Sequence, residues 1–151
     1  MKTKRSPVEL SAPRWAAPSR AKVFAIEEKM LEMRQVELRV EHYYSPGVYA
    51  RELHIPAGIL LTGRVHKYEN MNILSQGEMS VSTEDGMKRI KAPCTVVSPP
   101  GTKRIALAHT DCVWTTILGT HETDPDVIDA HFTTNNEQEY LAHQNNLTIE
   151  G

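Results

Sequence analysis

The chain is short of several things, and each shortage closes off a class of protein. Only two cysteines, Cys94 and Cys112, occur in 151 residues, and neither has a neighbour at metal-ligand or redox spacing. A disulfide framework is therefore excluded, and both are expected to be buried thiols in a reducing compartment. No apolar run approaches the roughly 20 residues that span a bilayer. No apolar segment follows the basic start either, so neither a membrane partner nor a secretory signal is expected. The formal net charge of -2 gives the surface no general attraction for nucleic acid. There is no Gly-rich phosphate loop, since Gly77 and Gly86 are isolated turn glycines, and no internal repeat. Ser75, Ser80, Ser82 and Ser98 sit in strand-like contexts without a His and an acid beside them, so no nucleophile constellation is visible.

What is present is β pattern. From His54 to Trp114, short runs rich in Val, Ile, Leu and Thr alternate with Pro/Gly turns about every ten residues. The runs predict strands over Ile59–Val65, Asn70–Leu74, Gly77–Ser82, Met87–Lys91, Thr95–Ser98, Lys103–Ala108 and Val113–Leu118. Asp85-Gly86 is a hairpin signal. Before this core, Glu37–Tyr44 alternates, with Leu38, Val40, His42 and Tyr44 on one side, and Val48–Ile55 follows a Ser45-Pro46-Gly47 turn. One all-β domain results, because 151 residues suffice for one real core and not for two.

The ends differ from the core. Residues 1–18 hold Pro7, Pro13 and Pro18, and the first twenty residues set five Lys/Arg against Glu9. They read as an extended basic arm, in which Trp15 suggests docking. Residues 19–36 predict a helix capped by Ser19, whose Val23, Ile26, Met30 and Met33 stripe is expected to pack as core and cover a sheet face or edge. The barrel is expected over 37–120. Over 121–151, Thr123-Asp124-Pro125-Asp126 starts a second helix with Val127, Ile128 and His131 inward. Beyond Thr133 the chain is Asn/Gln-rich and reads as a loose tail or a strap ordered by a neighbour.

Gly58, His66, Asn70 and Gly77-Glu78, followed by Ser98-Pro99-Pro100-Gly101-Thr102-Lys103-Arg104, resemble the two motifs of the cupin (RmlC-like jelly-roll) superfamily over roughly residues 38–120. The resemblance implies a single cupin-like jelly-roll β-barrel, all-β with flanking helices. It also implies where metal ligands would stand: the first His position falls on Arg64, the second on His66, the Glu on Asn70 and the last on Arg104. One of four ligands survives, and two arginines repel a cation. IPAGILLTGRVHK, NILSQGEMSV, SPPGTKRIALAHTD and VWTTI are similar to small cupin-like proteins of tailed bacteriophages, which implies a virion or host bacterial cytoplasm.

Two sites are open on the residues alone. His54, His66 and His109, with His42 as a fourth, could meet at barrel ends beside Glu52, Glu69 or Asp111 and hold Zn, Fe or Mn. The plainer reading makes them rim or hydrogen-bonded core histidines. Alternatively Arg64, Arg104 and Asn70 line an anion pocket for a nucleotide or sugar phosphate, with Lys67 and Lys103 near its rim, unless a bulge turns both arginines outward. Asn72 beside Asn70 suggests a polar interior. The expected role is non-enzymatic: a bacteriophage structural or accessory protein needing no cofactor, assembling as a homo-oligomer or with other phage structural proteins through its arm and tail. The alternative is a small-molecule cupin, either a metal enzyme using His66 and His109 or an anion-binding pocket using Arg64 and Arg104.

Overall fold

A computed structural model of the chain describes residues 17–83 and 86–150. Trp15, most of the basic arm and Asp85 lie outside the described residues. Helix α1 (Ala17–Leu31) is followed by β1 (Arg39–Ser45), β2 (Val48–Ile55), β3 (Leu60–Thr62), β4 (Val65–His66), β5 (Asn70–Gln76) and β6 (Glu78–Thr83). Then come β7 (Gly86–Lys91), β8 (Cys94–Ser98), β9 (Ile105–Ala108) and β10 (Cys112–Leu118). Helix α2 (Pro125–Phe132), the short β11 (Thr133–Thr134) and helix α3 (Glu137–Glu150) complete the chain.

The strands form two antiparallel sheets, one in the order β1-β2-β10-β5-β8 and one in the order β3-β9-β6-β7, while β11 pairs with β4. Setting β2-β10-β5-β8 against β3-β9-β6-β7 makes the chain pass from sheet to sheet as an eight-stranded jelly roll does. A jelly roll with flanking helices is thus present, β1 extending one sheet. Its apolar core, centred on Ile55, Leu74, Met79, Val81, Ala106, Ala108 and Cys112, fills one end of the space between the sheets.

The predicted strand over Ile59–Val65 is split. After β3 the Gly63 N–H still donates to the Arg104 carbonyl (2.9 Å), and then β4 leaves to pair with β11. The strand predicted from Lys103 starts instead at Ile105, because Lys103 is spent on the helices. Its ammonium, with 0% of the residue exposed, donates to Glu27 Oε2 (2.9 Å), the Gly63 carbonyl (2.8 Å) and Asn135 Oδ1 (2.7 Å). It also lies 4.3 Å from the centre of the Phe24 ring.

The Met stripe of α1 is not core packing. Val23 is buried, whereas Ile26 and Met33 are exposed. Polar anchors hold the helix instead: Glu27 to Lys103 and to Thr62 Oγ1 (2.6 Å), and Arg20 to α3. The helix ends at Leu31, and Gln35 Nε2 takes up the Met30 and Met33 carbonyls.

The C-terminal segment, expected as a loose tail or a strap, is a helix docked on its own domain. Arg20 clasps Glu137 with two short bonds (Nε to Oε2 2.8 Å, Nη2 to Oε1 2.7 Å) and lies 4.6 Å from the centre of the Tyr140 ring. Helix α2 starts as its sequence indicates, Asp124 accepting from the Asp126 N–H and Pro125 filling the first turn. Ile128 faces inward, but Val127 and His131 are exposed, His131 stacking on Tyr68. No helix among the described residues is long and apolar enough to cross a membrane.

Candidate functional site

Strand alternation decides what faces the space between the sheets. On β2, Tyr49, Arg51, Leu53 and Ile55 face in, while Ala50, Glu52 and His54 face out. The register of the large sheet carries that choice across in rows. Val40, Leu53, Trp114, Leu74 and Cys94 make an apolar row. One step toward the other end, His42, Arg51, Thr116, Asn72 and Val96 make a mostly polar one, with Asn70 and Ser98 paired beyond it.

These rows enclose a cavity of about 570 Å³, within the range of about 300–1,000 Å³ usual for small-molecule sites. Arg51, Arg64, His66, Asn70, Asn72 and Arg104 line its polar end, together with Ser98, Thr116 and Thr133. Asp126, Ile128 and Asp129 of α2 close over that end.

The polar groups are tied into a frame. Thr116 Oγ1 donates to Asn72 Oδ1 (2.7 Å), and Asn72 Nδ2 donates to Asn70 Oδ1 (2.8 Å) and Ser98 Oγ (3.0 Å). Arg104 donates from Nη2 to Ser98 Oγ (2.8 Å) and from Nη1 to the Ser82 carbonyl (2.6 Å). Arg64 Nε donates to Thr133 Oγ1 (2.9 Å), which in turn donates to the Asp129 carbonyl (2.8 Å). Thr133 therefore links the mouth arginine to the helix that covers it. A frame satisfied in this way fixes side-chain positions before any ligand arrives.

Three guanidiniums face two carboxylates, Asp126 and Asp129, around this end. Burial pushes the His66 imidazole down to about 4; the Asp129 carboxylate opposes the shift, and the guanidiniums of Arg104, Arg51 and Arg64 add to it. His66 is accordingly neutral at pH 7, a hydrogen-bonding group rather than a charge.

Of the residues singled out in the sequence, the structure brings Arg64, Arg104 and Asn70 to one cavity. It does not gather His54, His66 and His109. His54 faces outward and is bonded to Glu52 (2.7 Å). His109, after β9, meets Ser80 Oγ (2.7 Å) on the outside of the smaller sheet. His42 shares the cavity with His66 but is bonded to Tyr49 Oη (2.7 Å). Among the described residues no three His, Cys, Asp or Glu side chains meet to hold a metal ion. The polar end of the cavity holds the Asp126 and Asp129 carboxylates, but they do not gather with His66 as a ligand set, and the three guanidiniums around it do not fit a divalent cation. Lys103 lies outside the cavity, on the helix side. Arg51 and Thr133 are the residues that sequence reasoning passed over. Arg51 was legible, since it shares its alternation with the inward Leu53 and Ile55.

No protein-family model matches the chain, and no curated protein does. Solved structures with a related architecture exist. An acetylacetone dioxygenase from Acinetobacter johnsonii superposes with a TM-score of 0.47 at 14% identity, over 56% of this chain and 61% of that one. KdgF from Halomonas sp. gives 0.49 at 17% identity, over 62% and 88%. An RmlC-like cupin with a double-stranded β-helix fold from Methanocaldococcus jannaschii gives 0.47 at 16%, over 64% and 91%. The jelly-roll assignment rests on the strand order described above.

Proposed function

We propose that this protein is a small-molecule cupin without a metal centre, whose interior takes up an anion at the arginine-lined end of the cavity. The carrying observation is the convergence of Arg51, Arg64 and Arg104 on one cavity whose amide and hydroxyl groups are already held in a frame. Guanidiniums bind carboxylate and phosphate in paired, planar geometry. Neutral His66 adds a donor or acceptor beside them. The two aspartates of α2 moderate the field and favour ligands whose charge is concentrated at one point.

Thermal denaturation with small carboxylates and phosphates tests this. An anion at a hundred times its dissociation constant stabilises the fold by about 2.7 kcal/mol. The stabilisation is expected to vanish in Arg104→Gln and weaken in Arg51→Gln. Purified protein carrying stoichiometric Zn, Fe or Mn that His66→Ala loses would refute the metal-free reading.

A second reading, assembly as a bacteriophage virion component, draws on the outer face of the large sheet. There Tyr43, Met71 and Val97 are exposed hydrophobic side chains, with Ala50 and Ile117 in register between them. It no longer draws on the tail, which is docked as α3. Mass spectrometry of purified particles finding the chain in fixed copy number would favour it.

A further inference from the structure

Beneath the arginine-bearing end, which the Tyr49–Leu118–Ile128 cluster closes on the α2 side, the cavity becomes apolar, and this constrains the ligand beyond its charge. Resting on the anion-pocket reading above, we infer that the ligand is an amphiphile: a carboxylate carried on an apolar body, such as an acyl chain or an aryl-alkanoate, and not a sugar phosphate or nucleotide.

Away from the arginines, the cavity is floored by the packed core itself, through Leu53, Ile55, Leu61, Met79, Val81 and Trp114. The register shows that this is a layer and not a scatter. Leu53 and Trp114 are paired across β2 and β10, one step from the Arg51–Thr116 pair. On the facing sheet, Leu61 and Val81 both pair with Ala106. Arg104 stands two residues before Ala106, on the same side of the chain and toward the polar end. Both sheets thus change from polar to apolar at the same depth.

The apolar end offers almost nothing to hydrogen-bond. Among those six side chains the single N–H or O–H is the Trp114 indole. The nearby Cys112 thiol already donates to the carbonyls of Glu78 and Thr110. A sugar or ribose seated there would leave several hydroxyls without partners, each loss weakening binding by about ten- to a hundredfold. A methylene chain or phenyl ring has nothing to lose there and gains by leaving water. The head group is placed by the same geometry, since anionic oxygens at the apolar end would sit away from every guanidinium. The bound ligand therefore lies with its tail on the apolar floor and its carboxylate at the arginines.

Calorimetric titration of the full chain with the straight-chain acids from acetate to octanoate, and with inorganic phosphate, glucose 6-phosphate and AMP, tests this. Affinity is expected to rise about threefold to fourfold per added methylene, which is the burial of one CH₂. 3-Phenylpropionate is expected to bind at least tenfold more tightly than acetate, and its neutral amide at least tenfold more weakly than the acid. Arg51→Gln, an exposed position whose change does not threaten the fold, is expected to weaken all the acids alike and leave the per-methylene increment unchanged. A flat series with acetate or phosphate still bound overturns the amphiphile and leaves the anion pocket standing. The same holds if glucose 6-phosphate or AMP binds more tightly than octanoate. If no anion binds, or binding ignores both Arg51→Gln and Arg104→Gln in folded variants, the pocket reading falls and this inference with it.

Discussion

Replacing Glu27 with Ala removes the one carboxylate that, among the described residues, faces the buried ammonium of Lys103. In the native chain that ammonium has three oxygen acceptors and the face of Phe24, and only one of the four carries charge. The carbonyl of Gly63 and the amide of Asn135 remain in the variant but cannot neutralise the cation. Leaving one partner of a buried pair uncompensated costs about 3–5 kcal/mol. Glu27 keeps some contact with solvent, so about 3 kcal/mol is expected. For a chain of this size, 1 kcal/mol moves the melting temperature by about 2–4 °C, so Glu27→Ala should melt about 6–12 °C lower. Urea titration should show the midpoint falling with an unchanged slope. The double variant Glu27→Leu/Lys103→Met, which replaces the pair by apolar groups, should recover most of the loss. The pH profile supplies a second check. Burial opposes it, but hydrogen bonds from Thr62, Lys103 and Asn135 hold the Glu27 carboxyl below its ordinary value. That contribution is complete above the unfolded value near 4.5 and is lost as pH falls through the folded one, so it should be missing from the variant's acid limb. A loss under about 1 kcal/mol with a normal acid limb would refute the reasoning, because the ammonium would then be finding water or another partner.

Three further outcomes are expected. Gly77→Ala should cost about 2 kcal/mol or more in urea unfolding, since φ is +92° there and a Cβ would stand 2.3 Å from the Asp111 carbonyl oxygen. His66 is pushed from 6.5 to about 4, so the unfolded chain takes up a proton first. Stability attributable to it should fall between about pH 6.5 and pH 4, and His66→Asn should show a smaller difference between pH 7 and pH 4.5. Arg20→Ala strands Glu137 and uncovers Tyr140; hydrogen exchange should speed up through α3 well before the jelly roll melts.

The jelly roll was legible because its signal is local. Val48–Ile55 alternates with period two, and the strand lies over those same residues. That alternation also separates His54 from the inward Leu53 and Ile55, so the three-histidine site could have been doubted from sequence. Helix α3 was not legible. Its buried contact is Tyr140, and its clasp is Glu137 on Arg20, 117 residues away in the chain. No periodic apolar stripe announces a helix held that way. The Met stripe of α1 misled for the complementary reason: the face that docks carries Arg20, Phe24 and Glu27, and its partner is a lysine. Arg64, Arg104 and Asn70 were found through spacing within two motifs. Their convergence with Arg51 and Thr133 depends on three separate pairings, of β2 with β10, β5 with β8 and β4 with β11, which no single stretch of chain encodes.

Lys103 and Arg104 are adjacent in the chain and look in opposite directions, one into the cleft between the terminal helices and the other into the cavity. A single peptide unit thus joins two compartments that also share Thr62, whose hydroxyl donates to Glu27 while the residue lines the cavity. Disturbing the clasp should be felt as a change in ligand affinity, and filling the cavity should tighten the helices. A chain trimmed to residues 37–120 would keep all eight strands of the jelly roll, yet it would lose α2 and Thr133 from the wall of the cavity.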